Sequence, residues 1–414
     1  MSYMFHYATS FNQPLNNWNT SNVTDMSAMI GASFNHPLDN WNTSNVTNMS
    51  YMFSGSKDFD QPLNNWDTSN VTDMSAMFKG ATSFDQTLNN WDTSNVTNMR
   101  AMFSGATSFN QTLNNWNTSN VTDMRAMFAR ATSFNQPLND WDTSNVRIMG
   151  GYMENDEFSS YNKEGMFEGA TSFNQTLNDW DTSNVTNMSG MFEGATSFNQ
   201  PLNNWNTSNV YYVAGERTTT DPGMFAGATS FNQPLDKWDT SNIRNMSRMF
   251  KGATRFDQPL NDWDTSEVKS MESMFSGAMR FNQPLDKWNT TNVTDMSSMF
   301  SGAMSFNQPL NDWNTSNVTY MSSMFSGAMS FNQPLGNWDT SKVEFMSRMF
   351  KSARMFNQSL DNWEINIGGK FIDDIFLDSG LLKDNYCKLF KGKSKEIWRK
   401  YESTLGVPSS YKCY

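Results

Sequence analysis

Two histidines and two cysteines are the residues in this sequence best suited to catalysis. A Ser-His-Asp or Cys-His set needs a histidine held beside a nucleophile. His6 and His36 are the only histidines, and His36 occupies the Gln position of a recurring Phe-Asn-Gln-Pro segment, which favours a surface variant over a catalyst. No zinc-ligand spacing, P-loop or glycine-rich dinucleotide fingerprint is present. We therefore expect no enzymatic activity, cofactor or metal.

The cysteines, Cys387 and Cys413, both lie near the C-terminal end. One disulfide between them would clamp that end of the chain. Two unpaired thiols are the alternative, because sequence alone does not give the partner geometry that a disulfide needs. Both readings stay open.

Carboxylates and amides recur directly after tryptophan, as at Asn19, Asp67, Asn117 and Asp339. Stacked oxygens can attract calcium, but one carboxylate per copy is sparse for that ion. The pattern favours a polar face that binds protein or glycan.

A threonine recurs one residue later, as at Thr20 and Thr340. An outward threonine ladder would suggest ice binding, but the register derived below turns these threonines inward.

These residues belong to a repeat that runs to about residue 365. Neighbouring tryptophans are mostly 25 residues apart, and a fixed period in this range predicts a stacked repeat protein. The fourteen copies are marked by Trp18, Trp41, Trp66, Trp91, Trp116, Trp141, Trp180, Trp205, Trp238, Trp263, Trp288, Trp313, Trp338 and Trp363.

The copy from Phe109 to Phe128 illustrates one unit. Leu113–Thr118 has leucine-rich-repeat spacing and predicts a short strand with Trp116 and Thr118 inward. Val121, Met124, Met127 and Phe128 follow at helical spacing, after Asn120 as a candidate N-cap. We expect an α/β repeat solenoid, leucine-rich-repeat-like, with one short parallel strand and one short helix or 3₁₀ turn per 25-residue unit.

Composition limits the partners. The net charge of −12 argues against nucleic acid, since a phosphate-binding face needs an excess of Lys and Arg. No run of about 18 apolar residues predicts a transmembrane segment. No signal peptide is visible either.

Two insertions interrupt the period, near residues 150–165 and 214–223. Both fall at the same point of the unit, so they should emerge from the same side. Insertions in repeat arrays often mark a functional face, which makes this a candidate joint site for a protein partner; tolerated surface loops are the alternative. The candidate contact residues are Tyr152, Tyr161, Tyr211, Tyr212 and Arg217.

The ends differ. Residues 1–367 form the predicted solenoid, and 368–414 form a helical C-terminal capping segment, with Phe371–Leu377 and Asn385–Phe390 as its helical pieces. The chain begins inside a unit, because Met1–Phe5 aligns with Met74–Phe78. The uncapped first repeat is therefore a further candidate packing surface.

The segment Phe-Asn-Gln-Pro-Leu-Asn-x-Trp-[Asn/Asp]-Thr-Ser-Asn-Val-Thr-[Asn/Asp]-Met-Ser-x-Met-Phe-x-Gly-Ala closely resembles the repeat of BspA-type leucine-rich-repeat surface proteins, a repeat also found in mycoplasma lipoproteins, some protists and large DNA viruses. The resemblance covers residues 1–365. It implies surface exposure and binding of protein or matrix, without an enzymatic core. The chain departs from the family in lacking a visible signal or lipobox.

Two functions follow as expectations. The first is a non-enzymatic repeat protein for protein–protein binding or adhesion, at the cell surface or secreted, with surface or matrix proteins as partners. The second is a structural component of a large DNA virus particle, such as a minor capsid protein, with capsid proteins as partners and the virion as its location.

Overall fold

The computed structural model describes residues 1–151, 164–215, 223–364, 371–389, 404–408, 410–411 and 413. The chain divides into two compact units, Met1–Phe231 and Asn232–Tyr414, which we call unit 1 and unit 2. Across those described ranges the only α-helix is α1, Lys383–Lys388. The repeats are built from turns joined by single-residue parallel bridges, so the repeated architecture is present without extended strands.

The parallel bridges fall at one position of the repeat, the residue that precedes the first core methionine or the Val213 or Ile372 in its place. Within each unit, neighbouring residues at this position pair in parallel. One antiparallel bridge, between Ala214 and Gly223, joins the two ends of the second insertion. In unit 1 the bridging residues are Asp25, Asn48, Asp73, Asn98, Asp123, Ile148, Asn187 and Tyr212. In unit 2 they are Asn245, Ser270, Asp295, Tyr320, Phe345 and Phe371.

A ladder of backbone hydrogen bonds extends from each bridge over the next seven residues. In the repeat of unit 1 that follows Asn98, the N–H groups of Met99, Ala101, Phe103 and Gly105 donate to carbonyls of the following repeat at 2.7–3.1 Å. Of the intervening N–H groups, Met102 and Ser104 donate to the carbonyl three residues earlier, at 3.2 and 3.1 Å, and Arg100 donates to the Asn98 side-chain oxygen at 3.1 Å. Every second amide therefore joins repeats, and the others close tight turns.

This ladder replaces the helix expected over the segment equivalent to Val121–Phe128. Ala126 has φ of +53° and Arg130 has φ of +58°, and most repeats have left-handed residues at these two positions. Left-handed residues interrupt an α-helix, and amides committed to the next repeat cannot bond within one. The turns still advance about three residues at a time, which explains why the buried residues mimic helical spacing.

The expected strand over Leu113–Thr118 is also absent, since the structure assigns no bridge there. Its predicted inward and outward pattern is nevertheless correct: Trp116 and Thr118 are buried, and Asn115 and Asn117 are exposed. Asn120 does not cap a helix; its side-chain amide donates to the Ser94 carbonyl of the preceding repeat at 2.7 Å.

Aromatic side chains stack along the inside of each unit. Phe103 stacks on Phe78 and on Phe128 with centroid distances of 5.6 and 5.7 Å, and it packs against Phe109 of its own repeat at 4.0 Å. The phenylalanine and methionine side chains of these interior rows have almost no exposed surface. Because each repeat buries its aromatics against its neighbours, stability comes from the interfaces between repeats.

Polar side chains lock the same interfaces. The Thr118 hydroxyl donates to the Asp142 carbonyl at 2.9 Å, and this inward placement agrees with the predicted register and argues against an ice-binding role for this row. Asn110, which follows Phe109, accepts from the Asn135 N–H at 2.9 Å and from the Gln136 side chain at 3.1 Å.

The C-terminal part of unit 2 continues the ladder rather than forming the helix predicted over Phe371–Leu377. Met346, Arg348, Phe350 and Ser352 donate to carbonyls of residues 371–377, and Phe376 stacks on Phe350 at 5.7 Å. Asp374 and Phe376 donate in turn to Thr404 and Leu405. Residues 404–405 therefore add one more rung to the ladder, where a rung is the segment that one repeat contributes. Cys387, within α1, forms a disulfide with Cys413.

Candidate interaction surfaces

Both insertions leave and rejoin the ladder in the same way. The Met166 N–H donates to the Met149 carbonyl at 2.9 Å, and the Met224 N–H donates to the Val213 carbonyl at 2.9 Å. In an uninterrupted repeat the equivalent bond joins Met127 to Met124. Each insertion therefore replaces the two residues of one ladder turn and leaves the core methionine and phenylalanine that follow in place.

We call the points where the two insertions leave and rejoin the ladder, Met149/Met166 and Val213/Met224, the insertion bases. In unit 1 only one uninterrupted repeat separates them. Met149 and Gly150 donate to the Asn187 carbonyl, and Met188 of the intervening repeat donates to the Tyr212 carbonyl at 2.8 Å. At about 4.8 Å per rung, the bases lie roughly 10 Å apart. The two insertions are thus attached at the same point of the repeat, and their emergence from one side stays a prediction because residues 152–163 and 216–222 lie outside the described residues.

The first base needs glycine because the chain passes very close to the next repeat. A Cβ at Gly150 would collide with the Ser189 backbone nitrogen, and one at Gly165 would collide with the Gly190 backbone. Larger residues at either position would force the two segments apart.

Two of the five predicted contact residues can be placed. Tyr211 is exposed beside the second insertion, and its N–H donates to the Thr186 carbonyl at 3.0 Å. Tyr212 is half-buried and bridges to Asn187. Tyr152, Tyr161 and Arg217 lie outside the described residues, so their role in a joint site stays a prediction.

A charged cluster that the sequence did not suggest lies at the first insertion base. One oxygen of Glu164 is 3.1 Å from the Arg130 guanidinium, and the other accepts from the Ser104 hydroxyl at 3.2 Å. Arg130 also lies 3.5 Å from Glu168. Burial, with repulsion from Glu193 and Glu164, raises the pKa of Glu168 to about 7, and Arg130 opposes the rise. The charge of this cluster therefore changes near neutral pH.

The carboxylates that follow tryptophan are used within their own turns. The Asp67 carboxylate accepts from the hydroxyl and the N–H of Ser69 at 2.7 and 3.0 Å, and the hydroxyl bond lowers the pKa of Asp67. Asp181, Asp264 and Asp339 show the same lowered pKa from the serine two residues on. Among the residues that the structure describes, no group of three or more His, Cys, Asp or Glu side chains could hold a metal ion.

Unit 2 exposes an aromatic row that the sequence analysis missed. Tyr320, Phe345 and Phe371 occupy the bridge position in three successive rungs, with ring centroids 4.6 and 4.7 Å apart. Tyr320 is 41% exposed and Phe371 is 46% exposed. The preceding bridge residues of this unit are Asn245, Ser270 and Asp295, so the change from polar to aromatic within a fixed repeat position is the signal that could have revealed the row.

No α-helix within the described ranges is both long and apolar enough to cross a membrane.

A family model described as "Mycoplasma protein of unknown function, DUF285" matches five overlapping stretches, residues 1–71, 57–164, 156–216, 216–293 and 283–378. Together they cover the whole repeat array. No curated protein matches the chain.

Among solved structures, the crystal structure of a TLR13–ssRNA13 complex is similar at 10% sequence identity and a TM-score of 0.19. The match covers 78% of this chain and 53% of the TLR13 chain, so this chain spans about half the length of that protein. A TM-score of 0.19 is too low for this similarity to indicate a shared fold or ligand.

Proposed function

Since the chain belongs to the mycoplasma family of proteins of unknown function designated DUF285, its role must be argued from its own surface, and we propose that it is a non-enzymatic repeat protein that binds other proteins at a cell or particle surface. The exposed aromatic row of unit 2 carries this proposal. Large aromatic side chains are enriched in the energetically dominant centres of protein interfaces. A contiguous exposed apolar patch is also a recognised mark of such an interface.

The geometry of the row supports a protein partner over a glycan. Tyr320, Phe345 and Phe371 stack face to face, so each ring covers much of its neighbour's face. The exposed ring edges form an apolar strip against which aliphatic and aromatic side chains can pack. A sugar that stacks on aromatics needs open ring faces, which this row offers only at its ends.

The disulfide between Cys387 and Cys413 supports a location outside the reducing cytosol. Disulfides persist in secreted and surface proteins and on virions, and are rare in the cytosol of most cells. We propose a cell-surface or secreted location. The BspA-like repeat sequence supports the same proposal, with matrix or surface proteins as partners.

Binding measurements against defined proteins test the proposal. The full chain is immobilised and presented with fibronectin, collagen, laminin and mucin in biolayer interferometry. We expect at least one of them to bind, and the double substitution Tyr320→Asn, Phe345→Asp to weaken that binding about tenfold or more. Tyr51→Ala is the matched control, because Tyr51 is equally exposed but lies in unit 1, outside the aromatic row.

Other outcomes would count against the proposal. Binding that the double substitution leaves unchanged would remove the aromatic row as its basis. A chain that binds none of these proteins but co-assembles with particle proteins would favour the structural role in a virus particle. Substrate turnover abolished by a single substitution would overturn the non-enzymatic assignment.

A further inference from the structure

Unit 2 carries a second apolar row, on a different part of the repeat. Met279, Met304 and Met329 each follow the buried alanine of the Gly-Ala pair, and they are 44%, 41% and 40% exposed. Their register is fixed by backbone hydrogen bonds, because Ser305 donates to the Met279 carbonyl and Ser330 to the Met304 carbonyl, both at 3.2 Å. At about 4.8 Å per rung the three side chains span roughly 10 Å. We call these three residues the methionine row.

The fold does not require methionine at this position. The equivalent residues of unit 1 include Thr82, Thr107 and Thr132, and the hydroxyls of Thr107 and Thr132 donate to the preceding repeat at 3.3 and 3.4 Å. The backbone bond is the same in both units, since Ser108 donates to the Thr82 carbonyl at 3.2 Å as Ser305 does to Met279. The change from threonine to methionine therefore alters the surface and leaves the backbone pairing as it was.

Cationic residues flank the methionine row at both ends. Arg280 follows Met279 directly and is exposed. Phe331 stacks on Phe356 at 6.0 Å, which places exposed Arg354 in register with Met329. Lys251 and Arg255 lie one repeat before the row and are also exposed.

These charges stand out in a chain whose net charge is −12. Neither Arg280 nor Arg354 has an ion-pair partner among the residues that the structure describes. Asp257, the carboxylate one residue after Phe256, already accepts from the Asn282 N–H and the Gln283 side chain, both at 2.9 Å. The row is thus an apolar strip between positive ends.

We propose that the methionine row, with Arg280 and Arg354, is a docking site for a polypeptide segment that carries apolar side chains between acidic residues. Charge complementarity sets the sign of the partner, and it steers association and fixes register. Methionine suits such a site because its flexible, polarisable side chain adapts to different apolar partners. The inference rests on the protein-binding function proposed above and assigns it a surface and a partner class.

A membrane surface fits this row less well. Interfacial membrane binding relies on bulky Trp, Phe or Leu side chains that insert between lipids. The methionine row offers side chains that are already more than half covered by the protein, in a strip about 10 Å long.

The test uses the full disulfide-bonded chain and a phage-displayed library of random peptides. Selected peptides are synthesised, and their affinities are measured by fluorescence anisotropy at low and high salt. The key variant carries three substitutions together, Met279→Thr, Met304→Thr and Met329→Thr, and we call it the triple variant. It introduces the residue type that unit 1 has at this position, so it should fold normally. We expect selected peptides to be rich in both apolar and acidic residues, to bind this variant about tenfold more weakly, and to lose affinity as salt rises.

Charge reversal separates the arginines from a general electrostatic effect. Arg280→Glu and Arg354→Glu should each weaken peptide binding several-fold. Arg147→Glu is the matched control, since Arg147 is exposed in unit 1 and occupies a different position of the repeat, and it should leave affinity unchanged.

Selected peptides without an excess of acidic residues, or with equal affinity for the triple variant, would overturn the surface assignment while protein binding stands. If the chain bound neither peptides nor any of the matrix proteins, both the protein-binding function and the docking site would be contradicted. If peptides did not bind, and the wild type but not the triple variant co-sedimented with phosphatidylserine–phosphatidylcholine vesicles, the methionine row would be a membrane-binding site and the peptide proposal would be wrong. If the wild type were a dimer and the triple variant a monomer, the partner bound at the methionine row would be a second copy of this chain, and the peptide proposal would be wrong.

Discussion

The indole nitrogen of Trp116 donates a hydrogen bond to the Leu88 carbonyl oxygen at 3.1 Å, across 28 residues of sequence. The same carbonyl accepts the Trp91 backbone N–H at 3.1 Å, so one oxygen closes the turn of its own repeat and holds the tryptophan of the next. Equivalent bonds join Trp66 to Leu38 and Trp288 to Leu260, at 3.0 and 2.9 Å. Tryptophan therefore fixes the register between repeats as well as filling the core.

Replacing Trp116 with phenylalanine should destabilise unit 1. The substitution removes the hydrogen bond to Leu88 and leaves part of the indole volume empty, which together cost about 2 kcal/mol. Because repeats stabilise their neighbours, hydrogen-exchange protection should fall most in the adjoining repeats. Urea unfolding followed by circular dichroism checks the magnitude. Asn117→Asp, an exposed change to the residue found at Asp92, should stay within about 0.5 kcal/mol, and an equal loss in both variants would contradict the assigned role.

The two threonines of one repeat should respond differently to loss of the hydroxyl. Thr118 is buried and donates to the Asp142 carbonyl at 2.9 Å, whereas Thr122 is exposed and donates to Thr97 at 3.3 Å. Thr118→Val should cost about 1–2 kcal/mol, since a buried hydrogen bond between repeats is lost. Thr122→Val should be nearly neutral, because water can replace its bond. Similar shifts of the urea midpoint in the two variants would refute this distinction.

The sequence predicted the repeat, its buried residues and the inward threonines, because a fixed period exposes which positions share one environment. It failed on local structure at Val121–Phe128, where turns closed by bonds three residues back bury side chains at nearly helical spacing. Nothing in the pattern marked Ala126 as left-handed, since alanine usually favours a helix. The aromatic and methionine rows were missed because an averaged repeat conceals residues that change in only three copies.

The pH dependence of stability should carry a contribution from Glu168. Its pKa is raised to about 7, chiefly by burial, with Glu193 and Glu164 adding repulsion and Arg130 opposing it. A folded pKa above the usual 4.5 means that the folded state holds the proton more tightly, so this contribution is full below pH 4.5 and is lost as pH rises through about 7. The loss has an upper limit of about 3 kcal/mol.

Glu168→Gln should remove that decline and make unit 1 more stable than the wild type above pH 7. Urea midpoints measured across the pH range for both proteins provide the check. Glu344→Gln, at an exposed carboxylate of unit 2, serves as the control and should leave the pH profile of unit 1 unchanged. Parallel profiles for wild type and Glu168→Gln would show that Glu168 does not titrate as inferred.

Reduction of the disulfide should loosen the last rung of unit 2. The Asp374 and Phe376 amides donate to Thr404 and Leu405 at 2.7 and 2.9 Å, and the disulfide ties α1 to Cys413, eight residues beyond Leu405. A cross-link of this loop length limits the unfolded chain and typically contributes about 2–4 kcal/mol. In Cys387→Ser, Cys413→Ser, hydrogen exchange at Asp374 and Phe376 should therefore speed up, while the ladder of unit 1 keeps its protection. Reductant should reproduce the effect in the wild type and do nothing further to the double variant. Unchanged exchange at Asp374 and Phe376 after reduction would mean that Leu405, which is almost fully buried, holds the rung without the cross-link.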